Sequence, residues 1–374
     1  MLKFMFAPLF VLPLLRSADT ENASVQIRVA LIRNAENLSL ATKGRLYLFE
    51  KPTGEKYQLL PDSNYLMKPK GNKIKIDGKS LYPPITLIPP EGEERIKINS
   101  QSYAGEITIS IEDSLLCIVE NVPIENYLAG VLPFEMSPLW PLEALKAQAV
   151  VSRTFAIKNL KPDLPYDITS GTEKQVYKGI NEANKRILRA IQETKGEVLT
   201  YRGELIRAYF HSCCGGHTAS NYAVWGEKII RPLRGVRDPF CRHSKKYYWQ
   251  LSAGSSEILK FARQHGSKAI KIKRLRVLKK DSSGRALKLK IYTNTKPLVV
   301  RAYDLRKFLG PRHFKSTLIY RIKKTKEGFK FYGKGWGHGV GMCQEGAKAM
   351  AKKGKSYRQI LRHYYPKARI KHLK

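Results

Sequence analysis

The stretch Val122-Pro-Ile-Glu-Asn-Tyr-Leu-Ala-Gly-Val-Leu-Pro-Phe-Glu-Met-Ser-Pro-Leu-Trp-Pro-Leu-Glu-Ala-Leu-Lys-Ala-Gln-Ala-Val-Val-Ser-Arg-Thr-Phe-Ala-Ile-Lys158 decides how the chain is read. Tyr127, Leu128 and Val131 recur at helical spacing until Pro133, which is expected to stop a first helix. Pro141, at a favoured first helical position, starts a second. Glu135 is thereby expected in a short proline-bounded loop. Its neighbours Phe134, Met136, Leu139 and Trp140 offer little water or counter-charge, which predicts a carboxyl able to hold a proton near neutrality. Such a group is a general acid/base candidate.

The second helix is nearly all apolar, with Leu142, Leu145, Ala149, Val150, Ala156 and Ile157 covering most of it. Lys146 and Arg153 stand seven residues apart, on almost one face and about 10 Å apart along the axis. A mostly buried helix exposes such a stripe only at a cleft, so both are candidate substrate contacts. Two structural readings stay open beside this one: Glu135 caps a helix, or it pairs with Arg153.

These residues carry a resemblance. Pro123-x-x-x-Tyr127-Leu128-x-Gly130-Val131-Leu132-Pro133-x-Glu135-Met136, Trp140-Pro141-x-Glu143-Ala144-Leu145-Lys146-Ala147-Gln148-Ala149 and Arg153-Thr154 closely resemble the signature of the stage II sporulation protein D (SpoIID/LytB) family of peptidoglycan lytic transglycosylases. Further blocks follow in order: Gln175-x-Tyr177-x-Gly179, Phe210-His211-Ser212 with Gly215-Gly216-x-Thr218, and Gly335-x-Gly337-His338-Gly339-Val340-Gly341-Met342-x-Gln344-x-Gly346-Ala347. The match runs over roughly residues 103 to 366. The resemblance implies cleavage of the β-1,4 bond between N-acetylmuramic acid and N-acetylglucosamine, leaving 1,6-anhydro ends. Glu135 would be the catalytic residue, and Lys146, Arg153, Tyr177, His211, His338 and Gln344 would contact substrate. Relatives with bound zinc carry Cys and His in the loop corresponding to Asp167–Gln175; neither is present here, so no metal is expected there.

Composition sets the bounds. The 374 residues, 43% of them apolar, suffice for one large domain or two. With 68 basic against 31 acidic residues the formal charge is +37, which asks for a polyanionic partner. Nucleic acid is set aside because the basic residues are spread through helical and strand-like segments without a recognisable nucleic-acid module. An anionic cell envelope is an equally good partner. Lys3 and the apolar run Phe4 to Leu15 read as a signal peptide or short N-terminal anchor over residues 1–18. As a helix of about 18 Å the run is too short to span a bilayer core comfortably. Export to the periplasm or cell envelope is therefore expected, with membrane contact only through this segment. A buried N-terminal core segment in a cytoplasmic protein is the alternative.

Residues 19–102 alternate like strands and are punctuated by turns such as Pro52-Thr-Gly54 and Asp77-Gly78, with no chemistry of their own. Two further strands lead into the helix that begins near Ile124. After Pro165 a loop ends at Gly179, Asn181 is expected to cap a helix through Glu193, and Glu197 to Tyr209 reads as a hairpin turning at Arg202-Gly203. His211-Ser-Cys-Cys-Gly-Gly-His217 with Cys241 is the one constellation with possible metal chemistry. The preferred reading is a disulfide from Cys241 to Cys213 or Cys214; a zinc site drawing on Cys213, Cys214, His217 and Cys241 comes second, and buried free thiols third. Cys117 reads as core.

From Ser267 to Lys330 there are 21 Lys or Arg against three acids, read as the solvated face of a sheet. In Gly335 to Gly346 the alternating glycines are expected to expose backbone groups to sugar beside Trp336 and His338. Cys343 stands there where the resembled family commonly has Ser. Helices over Cys343–Lys353 and from a Ser356 cap close the chain.

The expected architecture is α+β: a β-rich N-terminal part, 19–102, packed on a catalytic domain, 103–374, whose two helices flank the Glu135 loop. The expected partners are peptidoglycan glycan strands and an amidase or other cell-wall hydrolase, with no cofactor required. The rival expectation is a non-catalytic glycan-binding protein that recruits such a hydrolase.

Overall fold

A computed structural model describes residues 25–42, 44–89, 96–171, 175–180 and 184–373. The N-terminal segment and Asn181 lie outside them. Among the described residues no helix is long and apolar enough to cross a membrane. The architecture is α+β. The chain divides into two compact units, one of residues 1–138 with 155–195, the other of residues 139–154 with 196–374. The expected β-rich region thus shares a unit with the segment carrying Glu135.

In the first unit, strand Leu115–Pro123 sits between Gln26–Ala35 and Glu106–Glu112, antiparallel to each, in a seven-stranded sheet. Alternation explains the burial: Leu116, Ile118 and Val122 face inward with Ile107 and Ile109 from the neighbouring strand, all wholly buried. A six-stranded sheet completes the β part. Strand Leu115–Pro123 runs without a loop into helix α1, Ile124–Glu135, because Pro123 has the extended backbone of a residue preceding a helix. Tyr127, Leu128, Val131 and Leu132 bury one face of α1.

Pro133 does not end α1. The helix continues to Glu135 and closes when the Met136 amide donates to the Leu132 carbonyl at 2.9 Å. A proline so near the C-terminus forfeits one intrahelical bond, and two more residues keep helical geometry. Helix α2 spans Leu142–Lys158 and α3 spans Lys185–Gln192; α3 is capped by Asn184, whose side chain accepts from the Arg186 amide at 2.9 Å.

Among the described residues the second unit holds three three-stranded antiparallel sheets; the two that share a core are Tyr248–Gly254, Gly328–Lys334 and Ile319–Lys324, and Ile272–Lys280, Ala286–Thr293 and Leu298–Arg301. The short helix α4, Asn221–Trp225, precedes them. Helices α5, Ser255–Gln264, and α6, Ala302–Phe308, pack on the two sheets around Phe261, Leu289, Leu305, Phe314 and Phe331. The basic residues of these strands alternate outward, as expected. Helix α7, Gln344–Lys352, starts at the Cys343 cap, and α8, Tyr357–Tyr364, at a capping box of Ser356 and Gln359.

Candidate active site

In the first unit Glu135 is the last residue of α1 and half-buried, while Phe134 beside it is 48% and Leu139 86% exposed. The expected apolar enclosure is therefore looser on that side. What holds the position is the helix beneath. Tyr127 donates its hydroxyl to Gln175 Oε1 at 3.1 Å, and its ring stacks on Tyr177 with centroids 5.1 Å apart and planes 24° apart. Burial, and after it the Glu135 carboxylate, push the Tyr127 phenol well above its usual range. Arg186 on α3 donates its Nε to the Pro138 carbonyl at 3.0 Å and so anchors the chain just after Glu135. Lys178 places its ammonium 5.2 Å from the Phe134 ring centroid.

A second carboxyl lies deeper. Glu120 is wholly buried and accepts from the Ala104 and Gly105 amides at 3.1 and 2.9 Å. Burial pushes it up to about 6, against the opposing pull of Tyr177 and the two amides. Sequence reading missed it, although the signal was there: Glu120 occupies an inward position of an alternating strand, where an apolar residue is the norm.

In the second unit Lys146 pairs with Glu143 at 2.9 Å and keeps 14% of its side chain exposed. Glu143 also accepts from the Tyr357 amide at the start of α8, at 2.7 Å. The expected cationic stripe is not an exposed one. Arg153 is wholly buried and donates to the Glu197 carbonyl at 3.0 Å, because strand Glu197–Tyr201 leaves that oxygen facing α2. Gln344 is buried and donates to Gln148 Oε1 at 3.4 Å, while Gln148 in turn donates to Ser152 at 2.9 Å.

His211 and His338 lie with ring centroids 5.5 Å apart. His211 Nδ1 donates to the Val340 carbonyl at 3.1 Å, and His338 Nδ1 accepts from the Val340 amide at 3.0 Å, which fixes opposite tautomers on the two rings. Burial, then His338 and Arg285, push His211 well below its usual range; burial, then Arg306 and Arg285, push His338 down to about 3. The pair is neutral at physiological pH. His338 borders a cavity of about 30 Å³ that Arg285, Arg301, Arg306, Tyr303 and Asp281 also line.

The glycine run before α7 is spent on close packing rather than on open backbone. A Cβ at Gly337 would stand 2.8 Å from that of His211, and one at Gly339 would stand 2.4 Å from the Arg285 guanidinium carbon; both glycines have positive φ. The run's amides are taken as well, Trp336 donating to the Cys213 carbonyl at 2.7 Å and Gly337 to that of Lys315 at 2.9 Å.

All five cysteines are free. Cys214 and Cys241, candidates for a disulfide, have sulfurs 3.4 Å apart, and His217 directs Nδ1 to the Thr218 carbonyl at 2.7 Å. The residues grouped with Cys214 and Cys241 are Cys343 and Asp238. Tyr177 and Glu135 thus belong to the first unit, and Lys146, Arg153, His211, His338 and Gln344 to the second.

Comparison with known proteins places this geometry in context. The family model of the stage II sporulation protein, SpoIID, matches residues 112–201, and that of a domain of unknown function, DUF8618, matches residues 227–341. An uncharacterised protein of Brachyspira hyodysenteriae is 36% identical over 278 residues, 74% of each chain. The stage II sporulation protein D of Bacillus amyloliquefaciens is 30% identical over 264 residues, 66% of this chain and 74% of that one. The amidase enhancer of Bacillus subtilis is 30% identical over 370 residues, 85% of this chain but 51% of its own length.

Proposed function

The chain belongs to the stage II sporulation protein D family, and from that premise we propose that it is a peptidoglycan lytic transglycosylase with Glu135 as its single proton donor and acceptor. Family membership and the amidase-enhancer relative support a role at the cell wall. The observation that carries the finer reading is the setting of Glu135. It is half-buried at the end of a rigid helix, within electrostatic reach of Tyr127, inside the segment the family model covers.

Ordinary glycosidases use two carboxyl groups. One suffices when the nucleophile is part of the substrate. Glu135 gives its proton to the glycosidic oxygen as the bond to the muramoyl anomeric carbon breaks. The muramoyl C6 hydroxyl then closes on that carbon, and Glu135 takes the hydroxyl proton, returning to its starting state. No water enters the products, which are a 1,6-anhydro end and a free hydroxyl. Lys146, partly exposed beside Glu143, is the cation assigned to glycan contact. Arg153 is assigned to the scaffold, since it is wholly buried. The surplus of basic residues suits an anionic envelope polymer, and export is part of this proposal.

A second reading rests on the amidase-enhancer relative: the chain binds glycan and activates a cell-wall amidase without cutting glycan itself. Incubation of the purified protein with glycan strands separates the two. Anhydro-ended products detected by mass spectrometry support the enzyme, and strand binding without them supports the activator.

A further inference from the structure

We propose that Cys214, Cys241, Cys343 and Asp238 form a binding site for one zinc-class divalent cation. The four come from three separate parts of the second unit: the loop after strand Phe210–His211, the turn at 238–241 and the N-cap of α7. All four are buried, and their sulfur and carboxylate oxygen atoms lie within 4.8 Å of one another. A tetrahedron with metal–sulfur bonds of ~2.3 Å has sulfur–sulfur edges of roughly 3.8 Å. The 3.4 Å between Cys214 and Cys241 and the 4.8 Å envelope therefore need adjustments of no more than about 1 Å.

Backbone amides turn toward two of the sulfurs, although burial holds the Cys214 and Cys343 thiols above their usual range without a cation. Cys343 Sγ accepts from the Cys214 amide at 3.2 Å and the Gly346 amide at 3.3 Å, at the positive end of α7, and Cys214 Sγ accepts from the Gly216 amide at 3.3 Å. Asp238 is oriented by the Tyr364 hydroxyl and the Phe240 amide, each at 2.9 Å, and turns the same Oδ2 that faces Tyr364 to Cys214 Sγ at 3.1 Å. Three thiolates and a carboxylate around a dication leave a net negative charge. The wholly buried Arg285 guanidinium, donating to the Cys214 carbonyl at 2.6 Å, is placed to offset it. Cys213 lies against the same group through Cys241 and Cys343. Asp238 takes the fourth place because its oxygen belongs to the mutually close set. Binding releases the thiol protons to solvent, so loading rises with pH. The bound ion would staple the cap of α7 to the loop that follows His211.

The test is made on the full chain. Elemental analysis after expression with added zinc is expected to find about one zinc per chain, and cobalt in its place is expected to give an intense thiolate-to-cobalt absorption band. Cys241→Ser and Cys343→Ser should each lose the metal, while Cys117→Ser, in the first unit, should keep it. Stripping zinc from the wild type with a chelator should lower its melting temperature, a readout that does not depend on any variant folding. A folded wild-type chain that binds neither zinc nor cobalt would overturn the proposal. So would an intact mass two hydrogens short, which marks a disulfide.

Discussion

Gly130 of α1 lies directly beneath the ring of Tyr177: a Cβ at position 130 would stand 2.5 Å from Tyr177 Cε2 and 2.8 Å from the Gly179 carbonyl oxygen. The glycine lets the loop ending at Gly179 close onto the helix that presents Glu135, so two motifs nearly fifty residues apart form one packed layer. Gly130→Ala inserts a methyl where a ring and a backbone oxygen must both yield. We expect a loss of about 1–3 kcal/mol, read as a lower melting temperature, even though alanine favours the helix itself.

The two cations of α2 should separate by experiment. Arg153→Met leaves the Glu197 carbonyl without its buried donor and should cost about 2–4 kcal/mol in thermal or denaturant unfolding. Lys146→Met removes a partly exposed pair with Glu143, worth no more than about 1 kcal/mol. Its melting temperature should barely move, while sedimentation with glycan strands should show weakened binding.

Glu120 gives a pH signature. Its folded-state value, about 6, lies above the unfolded value of 4.5, so the folded chain holds the extra proton. The associated stability is fully present below about pH 4.5 and is lost as pH rises through about 6, a change of about 2 kcal/mol. Unfolding measured from pH 4 to 7 should show this slope in the wild type. Glu120→Gln, which cannot titrate, should flatten it.

Much of this was legible in the sequence. Pro141 marked the start of the second helix, alternation marked the strands, and Ser356 marked the last cap. What failed to show depends on partners distant in the chain. Proline chemistry alone suggested a stop at Pro133, but a single lost bond near a helix end does not outweigh the buried face of Tyr127 to Leu132. Arg153 is buried with a backbone carbonyl 44 residues on among its acceptors, which no side-chain pattern records. Arg285 was counted with the solvated face of the basic sheet and is buried. Cys343 stood too far from Cys214 and Cys241 for any spacing rule to join it, and Asp238, three residues before Cys241, was not read as a ligand.

The central claim is that Glu135 moves the proton. Its most direct test compares wild type with Glu135→Gln on purified glycan strands, with 1,6-anhydro ends counted by mass spectrometry and strand binding measured in parallel. The account expects anhydro ends from the wild type, at least ~10²-fold fewer from the variant, and equal binding by the two. Near-normal release of anhydro ends by Glu135→Gln would contradict it.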